Sequence, residues 1–140
     1  VLLGIGNMDN NYLHSEITEK IIKAFYNVYN QLGYGFLEKV YEHAMMIELP
    51  KFGLSSKNQF PIKVHYDNNC IGEYFADIIV NDLVIIELKA AENICDEHEC
   101  QLVNYLKATD IEVGLLLNFG KTPQIRRKVL TREYKNPTKS

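Results

Sequence analysis

The sequence predicts an α/β domain in which helices flank a mixed β-sheet, and three observations carry that prediction. Apolar residues recur with the 3.6-residue period as far as Leu49. After Gly53 the pattern changes to alternation over short segments bounded by turn residues. Two later runs, Leu83–Ile86 and Val113–Leu117, are apolar on both faces and are separated by a helical segment. Strands of that kind belong in the middle of a sheet covered on both sides.

The elements follow in order. Ser15 is the expected N-cap of a first helix that turns Ile17, Ile21, Ala24, Phe25, Val28 and Leu32 to one side. Gly33 and Gly35 end it. A second helix is expected from about Phe36, with Leu37, Val40, Tyr41, Ala44, Met45 and Leu49 inward, and Pro50 and Gly53 stop it. Phe60, Ile62, Val64 and Tyr66 alternate with polar residues and predict a strand with one covered face, with Gln59 just before it. Asp67-Asn68-Asn69 is a turn, and a second strand runs from about Cys70 to Val80. Asn81-Asp82 marks another turn before the apolar strand 83–89, and a helix is expected over 96–108. A strand over 113–118 follows, then an edge strand over 125–131 whose basic residues discourage further pairing. This gives one domain over residues 15–131, with an extension at 1–14 and a basic tail at 132–140; Met8 is a candidate natural start.

Hydrophobic residues make up 46% of the 140 and charged residues 24%, a balance that excludes a disordered chain. No apolar run approaches the roughly 20 residues of a membrane-spanning helix. Val1–Ile5 is too short for a signal-peptide core, so the cytoplasm is the expected location. Cys95, His98 and Cys100 cluster without a fourth ligand at a zinc-site spacing, and the three cysteines are read as reduced thiols.

The net charge of −3 hides an asymmetry. Residues 1–120 carry 8 Lys and Arg against 17 Asp and Glu, whereas residues 121–140 carry 7 against Glu133 alone. Arg126, Arg127 and Lys128 are therefore candidate nucleic-acid contacts beside an acidic body, with a solvated edge strand as the bland alternative.

The residues that demand a chemical explanation are Glu87 and Lys89, which interrupt an apolar strand. Strand alternation places both on one face and Leu88 on the other. Charges there are costly unless paired or bound to metal. Asp77 interrupts the preceding strand in the same way. Asp77 opposes Glu87 if the hairpin loop is centred on Asp82, as in a three-residue loop 81–83; a two-residue loop would oppose it to Ile86. Two carboxylates on one patch suit Mg²⁺ or Mn²⁺, and the adjacent lysine suits an attacking water or a charged transition state.

The segment Gly35-Phe36-Leu37-Glu38-Lys39-Val40-Tyr41 resembles the signature of the GxxExxY family, a group within the PD-(D/E)XK nuclease superfamily. The resemblance runs from about Ile17 to Val129 and includes Gly72–Asp77, Ile86–Ala90, Gln101–Leu106 and Gly114–Gly120. It departs at Tyr29, where members often carry histidine. The resemblance implies a restriction-endonuclease-like core with Asp77, Glu87 and Lys89 as the motif residues. It further implies Glu38 as a helix-borne metal ligand and Gln101 as a residue that orients the site. Tyr41, three residues after Glu38, and His98, three before Gln101, are candidates for supporting contacts.

These readings converge on a metal-dependent nuclease that hydrolyses DNA, or with less support RNA, using Mg²⁺ or Mn²⁺. The competing reading is a catalytically silent or partner-dependent interaction module that keeps the nuclease fold. A homodimer or a protein partner is compatible with either.

Overall fold

The protein is described here by a computed structural model covering residues 13–135. Helix α1 spans Ser15–Leu32 and buries Ile21, Ala24, Phe25 and Val28. Its cap is His14, in the left-handed conformation at φ 55°, and Ser15 is the first helical residue. Ser15 therefore does not cap with its side chain; the His14 carbonyl already accepts the Thr18 N–H at 3.0 Å.

Helix α2 spans Glu38–Glu48, two residues later than the pattern suggested, and a 3₁₀ turn follows over Leu49–Phe52. Its buried stripe is also rotated. Leu37 is 81% exposed and Val40 is 40% exposed, while Tyr41, Glu42, Met45 and Leu49 are buried. Tyr41 sets this rotation. Its ring stacks on Phe119 with centroids 4.0 Å apart, and its hydroxyl donates to Gly33 O at 2.8 Å and accepts from Phe36 N–H at 3.2 Å. Leu37 is left extended ahead of the helix.

The sheet has five strands in the order β1 (Ser56–Tyr66), β2 (Asn69–Val80), β3 (Val84–Lys89), β4 (Val113–Phe119) and β5 (Pro123–Val129). Only β3 and β4 are parallel. Parallel neighbours need a crossover, and helix α3 (Asp96–Ala108) supplies it. The apolar run expected at the centre is β3, the middle strand.

Helices α1 and α2 cover one face through Phe25, Val28, Tyr41 and Met45 against Ile78, Ile86, Leu88, Leu115 and Leu117. Helix α3 covers the other through Leu102 and Leu106 against Ile62, Ala76, Ile85 and Leu116. At Gly114 an added Cβ would lie 2.6 Å from Leu102 Cδ1, so the missing side chain lets α3 sit flush on β4.

β5 is the edge strand that its basic residues suggested. Beyond it Arg132–Lys135 form a short helix α4, and Lys135 donates to the carbonyls of Thr109 and Ile111. The start of the expected basic tail is thus tied to the domain. The expected extension, but for its last two residues, and positions 136–140 lie outside the described residues. Among the described residues no helix is long and apolar enough to cross a membrane.

Candidate active site

The β2–β3 hairpin decides the site. Its ladder pairs Val80 with Val84, Ile79 with Ile85 and Ile78 with Ile86, which leaves a three-residue loop over 81–83. Asn81 and Asp82 take the left-handed conformation, at φ 53° and 55°. The Asn81 side chain accepts the Ser55 N–H at 2.8 Å, fixing the loop to the chain entering β1. This odd loop sets the register that brings Asp77 opposite Glu87.

At that step side chains replace the backbone ladder. Asp77 N–H donates to Glu87 Oε2 at 2.8 Å, and Leu88 N–H donates to Asp77 Oδ2 at 2.7 Å. Each carboxylate thus occupies a place where the partner strand's carbonyl would otherwise accept. Asp77 Oδ1 and Glu87 Oε1 meet no donor group among the described residues, and the two carboxyls lie close enough to hydrogen-bond to each other when one is protonated.

On the other side of β2 the ladder is interrupted opposite Asp77, at Gln59, whose φ is 54°. The buried pattern changes phase there. Ile78 and Val80 belong to the core under α1 and α2, whereas Ala76 and Ile62 belong to the core under α3.

Burial governs the electrostatics. It pushes the Glu87 carboxyl up to about 8, with the charge of Asp77 adding to the rise. Asp77 is raised as well, first by burial and then by the charges of Glu42 and Glu38, with the Leu88 N–H opposing. Two carboxylates so close and so poorly hydrated favour one shared proton in the absence of a cation.

Lys89 and Gln101 complete the arrangement. Lys89 Nζ donates to Gln101 Oε1 at 3.3 Å, and Gln101 Nε2 donates to the Tyr105 hydroxyl at 2.9 Å. Burial, followed by the charge of Glu87, raises the Tyr105 phenol. The structure thus brings Asp77, Glu87, Lys89 and Gln101 together on the face that α3 covers.

The model of the PD-(D/E)XK nuclease superfamily matches residues 15–129. This chain belongs to the PD-(D/E)XK nuclease superfamily. Its mixed sheet with flanking helices is the restriction-endonuclease-like fold. The crystal structure of SSO0001 superposes with a TM-score of 0.51 at 17% identity, over 94% of this chain and 66% of that one. That likeness supports the fold, and the present chain spans about two thirds of that protein's length. No curated protein matches.

Other expected site residues of this PD-(D/E)XK chain lie elsewhere. Glu38 sits exposed in the first turn of α2, within electrostatic reach of Asp77. Among the described residues no group of three or more His, Cys, Asp or Glu that could hold a metal ion forms around the pair. Tyr41 is a core aromatic that clamps the 33–36 turn. His98 Nδ1 accepts the Cys95 N–H at 3.2 Å and serves as an N-terminal cap of α3. Tyr29, where the resemblance departs, places its hydroxyl 2.7 Å from Gly120 O and 2.8 Å from Lys121 O, against the β4–β5 turn.

The basic residues of β5 divide between its two faces. Lys128 Nζ lies 2.6 Å and Arg126 Nε 3.8 Å from Glu99 on α3. Arg127 points the opposite way and donates to Leu13 O at 2.6 Å, where it anchors the chain entering α1. The three do not form one cationic patch, because successive strand residues alternate.

Four contributors were missed. Glu42, 3% exposed, accepts from Gln59 Nε2 at 2.9 Å and Asn58 Nδ2 at 3.0 Å and pairs with Lys39 at 3.4 Å. It thereby holds the kinked stretch of β1 opposite Asp77. The spacing of four from Glu38 was the available signal for Glu42, and Gln59 belongs to that clamp within β1. Tyr105, four residues after Gln101, had the same kind of signal.

The fourth is Asn118, fully buried at the end of β4. Its Oδ1 accepts the Ala91 N–H at 2.9 Å, and its Nδ2 donates to Ala91 O at 3.0 Å and Gln124 Oε1 at 3.1 Å. Asn118 thus fixes the chain as it leaves Lys89. Asn118→Ala leaves the Ala91 N–H and C=O unpaired, and we expect a loss of about 2–3 kcal/mol in urea unfolding.

Proposed function

We propose that this chain is a divalent-metal-dependent phosphodiesterase acting on nucleic acid, DNA ahead of RNA. The observation that carries the reading is the direct opposition of Asp77 and Glu87, each with one oxygen not tied to a backbone amide, beside Lys89. Asp77 Oδ1 and Glu87 Oε1 fit Mg²⁺ or Mn²⁺, hard cations that take oxygen ligands and retain several waters. Such an ion, when bound, supplies a more acidic water and charge stabilisation at phosphoryl oxygen. Lys89, oriented by Gln101, offers a donor to the attacking water or to a phosphoryl oxygen gaining charge. The backbone amides of Asp77 and Leu88 hold the two carboxylates in place.

The test pairs calorimetric titration of Mn²⁺ with cleavage assays on single-stranded, duplex and branched substrates. Wild type is expected to bind Mn²⁺ and to cleave in a metal-dependent way. Asp77→Asn is expected to lose the binding heat, and Lys89→Ala to retain it while cleaving far more slowly. Equal cleavage by wild type and Lys89→Ala, or no metal-dependent cleavage, defeats the reading.

The competing reading is a module that binds without cutting, or that acts only within a complex. That alternative predicts no Mn²⁺ heat dependent on Asp77 and Glu87.

A further inference from the structure

A groove of about 1240 Å³ runs between the β1–β2 hairpin and helix α3, and Gln101 and Tyr105 line it. It therefore opens onto Gln101, which accepts from Lys89, and onto Tyr105, which accepts from Gln101. Along α3 its wall includes His98, Gln101, Tyr105 and Ala108, residues spaced three or four apart on one helical face. The hairpin contributes Lys63, His65 and Tyr74.

Two properties of the groove fit a nucleic-acid strand whose bases are unpaired. The first is aromatic. Tyr74 is half-exposed, with its ring centroid 6.0 Å from that of Tyr105. A base can stack on such a ring only if its own face is free, which a duplex interior does not allow. The second is charge. Lys63 and Lys107 are exposed on the groove and make no ion pair among the described residues. Lys135 adds a third positive charge against the acids Glu97 and Asp110. Arg126 and Lys128 of β5, by contrast, are tied to Glu99.

We infer that this groove binds a single-stranded nucleic acid, with a base on Tyr74 and phosphates against Lys63 and Lys107, and leads the strand toward Gln101, the residue bonded to Lys89. The inference rests on the proposed nuclease reading for what happens at the end of the groove. It gives that site a substrate class, a single strand or the unpaired part of a branched one. It also moves phosphate recognition from the basic edge strand to the hairpin and α3.

The test is fluorescence anisotropy in EDTA, so that binding is measured apart from cutting. The probes are labelled oligothymidylate, oligouridylate and a hairpin DNA duplex. Wild type is expected to bind either single strand more tightly than the duplex. Tyr74→Ala should weaken single-strand binding about tenfold, the order expected for one lost stacking contact, while Tyr74→Phe stays within about twofold. Joint Lys63→Glu and Lys107→Glu substitution should weaken it further and flatten the salt dependence, and joint Arg126→Glu and Lys128→Glu substitution should matter less.

Equal or tighter duplex binding, or groove variants that bind like wild type, overturns the inference. If groove variants bind and cleave oligonucleotides as wild type does while Asp77→Asn is inactive, the groove falls and the nuclease reading stands. If oligonucleotide binding depends on Tyr74 but no Mn²⁺ heat or cleavage appears, the nuclease reading falls and the groove stands.

Discussion

Replacing Glu87 by Gln is expected to make the metal-free protein more stable at pH 9 by a few kcal/mol, while leaving it nearly unchanged at pH 5. Glu87 is 4% exposed, and burial together with Asp77 raises its carboxyl from the ordinary 4.5 to about 8. The folded chain therefore keeps this proton in a range where the unfolded chain has released it. The contribution is fully present below pH 4.5 and is lost as pH rises through about 8. Each tenfold displacement of a proton equilibrium is worth about 1.4 kcal/mol, which sets the effect on the order of 4 kcal/mol. Asp77 is raised too, so its contribution changes with the same sign.

Gln at position 87 has no charge to bury as the pH rises, and its amide oxygen can still accept the Asp77 N–H. Thermal melts of both proteins in EDTA at pH 5 and pH 9 provide the comparison. Wild type should lose stability between the two while Glu87→Gln does so much less. Mn²⁺ added at pH 9 should restore wild type and leave the variant unmoved, since a bound cation replaces the missing compensation. Parallel pH profiles would show that Glu87 is not held neutral by the fold.

That cost is built by the hairpin, and the hairpin was partly legible in the sequence. Alternation put Glu87 and Lys89 on one face and Leu88 on the other, and Leu88 does pack in the opposite core. A loop centred on Asp82 was the condition for Asp77 to meet Glu87, and Val80 does pair with Val84 across that loop. Such inferences succeed because strand periodicity is local and the turn has few solutions.

What was not legible depends on contacts between distant segments. Glu42 is one more helix acid in the sequence, and its role depends on Asn58 and Gln59, which close on it from a strand beginning after another turn. Leu37 and Val40 read as core for the same reason: the apolar pattern of α2 admits two stripes, and only Tyr41 stacking on Phe119 selects between them. Gln59 is a further case. A left-handed residue inside a strand leaves no composition signal when it is not glycine. The pairing of Arg126 and Lys128 was equally illegible, because their partner Glu99 lies on a different element.

Lys89→Ala is expected to reduce metal-dependent cleavage about 10²–10³-fold, the loss typical of one well-placed donor to a charged transition state. The structure supports so large an effect because the ammonium is held and yet uncommitted. Its one hydrogen bond among the described residues is to Gln101 Oε1, and no ion pair to Glu87 or Asp77 forms. An ammonium locked to a carboxylate has already satisfied its charge, whereas one oriented by a neutral amide keeps it for the substrate. The loss should fall on turnover, with Mn²⁺ affinity changed little, because Lys89 supplies no oxygen ligand. Gln101→Ala should cost less, about tenfold, because it frees the ammonium to wander without removing it. Single-turnover rates beside calorimetric Mn²⁺ affinities separate the two roles. If both variants instead lose Mn²⁺ binding in proportion to their rates, Lys89 and Gln101 act by shaping the carboxylate pair rather than by acting on the reacting phosphate.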